Sequence, residues 1–445
     1  MAVDLTSFSD ALKEIYRESN YNNVTMKKRP LMALLPKFKM FGGRSMPVPT
    51  QYADPQNQSA SFDRAVGNQM TVGGALTDAP AGTDQLGISA FQLTRVSNYG
   101  ICQIDSEVAE ASAKDEMAFL TAIKAAIDGT VNSLSNRLET QLFRDGTGSI
   151  GTVAAAPAIA TVFRLAQTSD VANFEVGMSL VASAGAVGGV GGGALIGLAQ
   201  GIPVTGVNRT TGDITKAGAV TWDAAGAFTA AFTGPAGGAL GANLYPVGDA
   251  AAGGASVCLS GLDAWVPLTA PAAGAANAFF GVDRAIDSRL YGQSFTPGGI
   301  PIEDSLIDAA SLSERVGGTP DLCILHHVRM RELIKNLHNS QQYDTVNAVT
   351  HKGVVADIGF RSVNVQTGDG KIDVVSASRC PQNTAWMLQK DTWLLATLGE
   401  DIVELQDLDG LSIQRVYNRD AVQARFRFRG NLACKGPIYN VRINF

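Results

Sequence analysis

Residues 112–148 read SAKDEMAFLTAIKAAIDGTVNSLSNRLETQLFRDGTG, and this stretch decides the fold. Leu120, Ile123, Ile127, Leu134, Leu138 and Leu142 recur at helical spacing and form one apolar stripe. Ser112, followed three residues later by Asp115, is close to a capping box. Arg144-Asp145-Gly146-Thr147-Gly148 is turn chemistry, with a glycine available for a left-handed cap. The pattern predicts a helix over 112–143, a rod of roughly 45 Å at about 1.5 Å per residue, with Gly129 as the expected bend.

Upstream of this rod the chain reads as extended. Leu5, Phe8, Leu12 and Ile15 predict a short amphipathic helix over 5–19. Lys27, Lys28, Arg29, Pro30, Pro36, Pro47 and Pro49 then mark a basic, proline-bearing arm, with one short ordered patch at 31–35. Alternation predicts strands over 48–52 and 86–104. The polar, turn-rich stretch 54–84 lies between them, which makes the whole an extended hairpin with a long tip.

Downstream the composition shifts. Only eight residues between Thr152 and Leu262 are charged, and Gly, Ala, Thr and Val dominate. Short alternating runs at 162–165, 178–181, 202–207, 214, 220–222, 228–232 and 243–247 predict a small β-barrel or sandwich, with Asn208-Arg209-Thr210-Thr211-Gly212-Asp213 as one of its turns. The charge-free run 176–208 contains Gly188-Gly189-Val190-Gly191-Gly192-Gly193. It reads as a surface loop and not a membrane span, because each interior glycine costs a helix about 1 kcal/mol. Helices are expected at 302–316 and 327–337, with Leu322-Cys323-Ile324-Leu325 between them as a buried strand. Strands follow at 354–365, 372–375, 385–388, 393–397, 414–429 and 438–445.

The chemistry is sparse. The chain has 445 residues, 45% hydrophobic and 17% charged, with a formal net charge of −6. That suits packed cores in more than one lobe and disfavours a protein that coats nucleic acid electrostatically. Five cysteines are scattered and odd in number, which reads as reduced, buried thiols, and no signal peptide is expected at Met1-Ala2-Val3-Asp4. Cys323 and His326 have a Cys-x-x-His spacing, but no second pair follows at zinc-site distance. Gly189 to Ala194 fits a dinucleotide fingerprint only formally, since the following residues cannot sustain a helix. Asp407-Leu408-Asp409-Gly410 is too short for a calcium loop and reads as a turn. No catalytic residue, cofactor site or metal site is expected.

The order of these parts resembles the tailed-phage major capsid proteins. The matching stretches are 5–43, 47–104, and 112–143 with its closing Asp145-Gly146-Thr147-Gly148. The phrases Ser260-Gly261-Leu262-Asp263-Ala264-Trp265, Phe280-Gly281-Val282-Asp283-Arg284 and Pro320-Asp321-Leu322-Cys323-Ile324-Leu325 also match. The resemblance implies the α+β, Hong Kong 97-type capsid fold. It divides the chain into an N-terminal arm (1–46), an extended hairpin loop (47–104), a spine helix (105–151), a mainly axial region (258–400) and C-terminal strands (401–445); residues 152–257 depart from it as an extra, inserted all-β domain, expected on the outer face.

The implied function is self-assembly, as pentamers and hexamers, into an icosahedral shell around DNA bound without sequence specificity. The partners it implies are further copies of the chain, a portal protein, and scaffolding and decoration proteins, with no membrane. The place is the virion capsid, assembled in the host bacterial cytoplasm. An encapsulin-like shell holding cargo enzymes is the nearest alternative, and a hydrolase with a glycine-rich lid is the alternative from another class.

Some members of this family fuse neighbouring subunits through an isopeptide bond from a hairpin lysine. Here no lysine lies between Lys39 and Lys114, so a non-covalent shell is expected. Expected intersubunit contacts are Asp54, Asp63 and Arg64 on the hairpin, and Arg425, Arg427 and Arg429. In the run Arg425-Phe426-Arg427-Phe428-Arg429 the arginines share one strand face and the phenylalanines the other. Three readings stand open there: arginines simply in water, arginines pairing carboxylates of a neighbour, or, third, arginines contacting DNA.

Overall fold

The computed structural model describes residues 29–54, 60, 68–70, 76–78, 87–107, 116–154, 162–183, 195–196, 201–217, 243–249, 257–274, 277–340, 363–368, 370–399, 402–405 and 413–445. The helix expected over 5–19, the Ser112 cap, the runs at 188–193, 220–222 and 228–232, Asp63, Arg64 and 407–410 lie outside the described residues.

The long helix spans Glu116–Phe143. Leu134, Leu138 and Leu142, spaced four apart, are buried on one face. It stops where the turn chemistry demands: Gly146 and Gly148 adopt φ of 91° and 88°, and the Asp145 carboxylate accepts from the Thr147 N–H and hydroxyl. Gly261 sits against the carbonyls of Gln141, Leu142 and Arg144, closer than any Cβ would permit. The short helix Pro30–Leu34 docks beside the rod, because the buried Glu139 carboxylate accepts from the Leu31 and Met32 N–H groups at its start.

The rod lies under a six-stranded sheet built on Ala421–Cys434. One edge of that strand pairs antiparallel with Val96–Asp105. Ile413–Arg415, Val403–Glu404 and Trp393–Thr397 also pair with it, and Lys37–Phe38 adds in parallel beside Trp393–Thr397. Phe426 and Phe428, with Cys102 and Ile104, fill the inner face. Gly100 lets the strand settle onto the helix, since a Cβ there would press on Thr130 and Leu134.

Two expected strands are each divided. The run 414–429 is broken by a turn at Val416, Tyr417, Asn418, Arg419 and Asp420, whose residue types favour a turn, with the Val416 N–H donating to the Ala421 carbonyl. The run 86–104 splits at Arg95. Gly87–Thr94 pairs with Ser45–Ala53 in the hairpin, whereas Val96–Asp105 joins the six-stranded sheet. Arg95 anchors the crossing by donating to the Phe41 carbonyl and lying over the Phe41 ring. The hairpin base is seated by Phe91, edge-on to Trp265 at 5.1 Å.

A second six-stranded sheet runs Gln293–Phe295, Val441–Asn444, Thr384–Leu388, Leu322–Leu325, Lys371–Ser376, Val363–Gln366. Cys323 and Leu325 face the helices Ile302–Glu314 and His327–Ser340, while Leu322 and Ile324 face the main core. Both faces are covered, which is why that strand is apolar throughout. The described C-terminal strands are thereby shared between two sheets: Val403–Glu404, Ile413–Arg415 and Ala421–Cys434 lie in the first and Val441–Asn444 in the second.

The third sheet has its own core of Ile150, Val153, Phe163, Leu165, Phe174, Leu180, Ile202, Val204, Ile214 and Leu244, among others. Its order is Gly151–Thr152, Asn243–Pro246, Ser179–Ser183, Ile202–Asn208, Asp213–Lys216, Val162–Arg164. A bridge between Val153 and Leu165 joins first to last, so the sheet closes into a small barrel. Asn208 builds its turn by accepting from the Thr210 and Thr211 N–H groups, with Gly212 at φ 75°.

Candidate functional site

The outer face of the Ala421–Cys434 sheet is the surface with the composition of a contact site. The pairing register sets Arg425 opposite Ile101, Arg427 opposite Tyr99 and Val403, and Arg429 opposite Ser97. Directly opposed residues share a face, so Tyr99 and Ile101 stand in the arginine row, 52% and 60% exposed. Arg429 donates from Nη2 to the Tyr99 hydroxyl at 3.2 Å. That bond, with a second from Ser97 and the nearby charge of Arg427, holds the Tyr99 phenol below its usual range. Among the described residues, neither Arg427 nor Arg429 contacts a carboxylate. Exposed aromatic and aliphatic groups beside half-buried guanidiniums on one ribbon match the residue types enriched at protein–protein contacts.

The three arginines are thus brought together by one strand. Asp54 stands elsewhere, at the end of the hairpin strand, where its carboxylate accepts from Gln51 Nε2 at 2.7 Å. Tyr99 and Ile101 were not legible as site residues, since 96–105 carries apolar residues on both faces and only the register assigns them.

The Cys323/His326 pair is structural. Cys323 is buried in its strand, and His326 caps the next helix by accepting from the Val328 N–H at Nδ1. Burial, with His327 alongside, pushes His326 down to about 4. Among the described residues no cluster of three or more His, Cys, Asp or Glu is placed to hold a metal, and no helix is long and apolar enough to cross a membrane. All five cysteines are buried and unpaired.

No protein-family model matches the sequence, and no curated protein matches it. Solved structures do. The capsid asymmetric unit of Cyanophage A-1(L) is 11% identical, with a TM-score of 0.50, over 99% of this chain and 98% of that chain. A structure from Microbacterium phage Oxtober96 is 12% identical at a TM-score of 0.42, covering 99% of each chain. The holo-SrpI encapsulin complex from Synechococcus elongatus is 9% identical at 0.38, over 99% of this chain and 94% of that chain. With so few residues shared along almost the whole length of the cyanophage structure, what is common is architecture: the chain has the α+β fold of that phage capsid structure.

Proposed function

We propose that the chain is the major subunit of an icosahedral shell, closing as pentamers and hexamers around a phage genome. The observation that carries this is the likeness to the cyanophage capsid structure over nearly the full length of both chains. The arginine–tyrosine face supports it, because many copies of a modest contact suffice when closed symmetry makes them act together. Carboxylates of a neighbouring copy are the natural partners of Arg427 and Arg429. The hairpin and the arm supply further reach. DNA is enclosed and not read, in keeping with the net charge of −6. Portal, scaffolding and decoration proteins are the further partners this role calls for, and the virion, built in the host cytoplasm, is its place.

The test is electron microscopy of the purified chain beside an Arg425→Gln, Arg427→Gln, Arg429→Gln variant. Closed particles from the parent, and folded but unassembled variant subunits, are expected. A parent that stays a compact monomer even with its phage partners supplied would refute the proposal. Particles filled with protein cargo in place of DNA would reassign the shell.

A further inference from the structure

A cavity of about 350 Å³ lies where the long helix, the barrel and the loop carrying Arg379 meet. Three guanidiniums line it: Arg137, Arg144 and Arg379. Two are already neutralised, Arg137 by Asp249 and Arg144 by Asp170. Among the described residues, Arg379 has no carboxylate in salt-bridge contact. It is 7% exposed, and its Nη1 donates to the neutral Thr140 Oγ1 and Asn173 Oδ1. Among the described residues, the Nε atoms of all three arginines are buried without an acceptor. Burial pushes Arg379 down to about 10, with Glu175, which also lines the cavity, and Glu139 pulling it back up, so it keeps its charge at neutral pH. A buried cation without a contacting counter-charge is costly, and three guanidiniums lining one cavity are complementary to an acceptor with several oxygens.

We infer that this cavity binds a small oxyanion of the phosphate class, with Arg379 as the principal counter-charge. Arg137 and Arg144 add donors, and polar side chains such as Asn132 and Ser133 complete the wall. The volume exceeds that of inorganic phosphate and admits a small phosphomonoester. The anion would sit between helix and barrel and hold the two together.

The purified full-length chain is melted in inorganic phosphate, in glycerol phosphate, and in chloride at matched ionic strength. At about one hundred times the dissociation constant, phosphate should raise the melting temperature by about 3 °C over chloride, if the chain melts as a unit. A larger shift with glycerol phosphate assigns the site to an ester, and an equal or smaller one to the free ion. Arg379→Gln should abolish the difference. Because that variant also loses internal hydrogen bonds, Ser133→Trp provides the second arm: Ser133 is an exposed lining residue, and its replacement plugs the mouth without touching Arg379. It should keep the chloride melting temperature and lose the phosphate increment. The inference is overturned if the parent shows no shift over chloride, if the shift survives both variants, or if microscopy finds a peptide segment in the cavity.

Discussion

Replacing Asn440 by alanine should separate the two six-stranded sheets energetically. Asn440 is 0% exposed and stands between the Ala421–Cys434 strand and Val441–Asn444. Its Oδ1 accepts from Trp393 Nε1 at 2.7 Å and from the Gln389 N–H at 2.9 Å. Its Nδ2 donates to Thr392 Oγ1 and to the Gly436 carbonyl, each at 3.1 Å. Alanine leaves two buried donors without an acceptor, each costing about 1–3 kcal/mol, and the carbonyl it abandons adds less. The expected loss is about 4 kcal/mol in urea unfolding. Thr392→Val removes one partner of the same network and should cost about 1–2 kcal/mol. If Asn440→Ala costs under about 1 kcal/mol, water or a local shift replaces the amide and the joint is not what holds the sheets together.

Gly261→Ala should cost about 1–3 kcal/mol or more, read as a lowered urea midpoint, because the methyl meets three backbone carbonyls that cannot turn away. Stability should fall in acid through His326: its folded value of about 4 lies below its ordinary 6.5, so the unfolded chain protonates first. This contribution is full above the ordinary value, is lost as pH falls through the folded one, and amounts to about 3 kcal/mol at most; His326→Asn should remove it from the pH profile of unfolding. Assembled particles boiled in detergent under reducing conditions should run as one band near 46.5 kDa, since the hairpin has no lysine to form a cross-link. A ladder of multimers would refute that.

Where one segment settles its own surroundings, the sequence was readable. Leu322-Cys323-Ile324-Leu325 read as a buried strand and is covered on both sides, and the Arg–Phe alternation at 425–429 placed its own two faces. The division at Arg95 was hidden, because alternation runs on while the pairing partner changes. The turn at 416–420 was missed although Asn418 and Asp420 signalled it. Tyr99 and Ile101 needed a register with a strand more than three hundred residues away. Arg379 carried no signal at all in sequence: its isolation depends on Thr140 and Asn173, brought from the helix and the barrel.

The closed barrel has a further consequence. The chain enters it at Gly151–Thr152 and leaves along Asn243–Pro246, and these strands are hydrogen-bonded neighbours, Thr152 beside Asn243 and Gly151 beside Leu244. Entry and exit are therefore separated by one strand spacing, about 4.8 Å, a gap that a two-residue turn bridges. In engineering terms the barrel is a cassette. It can be cut out or exchanged for a foreign domain whose ends are equally close, without asking the rod or the two larger sheets to move. What a graft must bring with it are replacements for Asn173, which bonds the Ile150 carbonyl and Arg379 across the seam, and for Asp170, which neutralises Arg144.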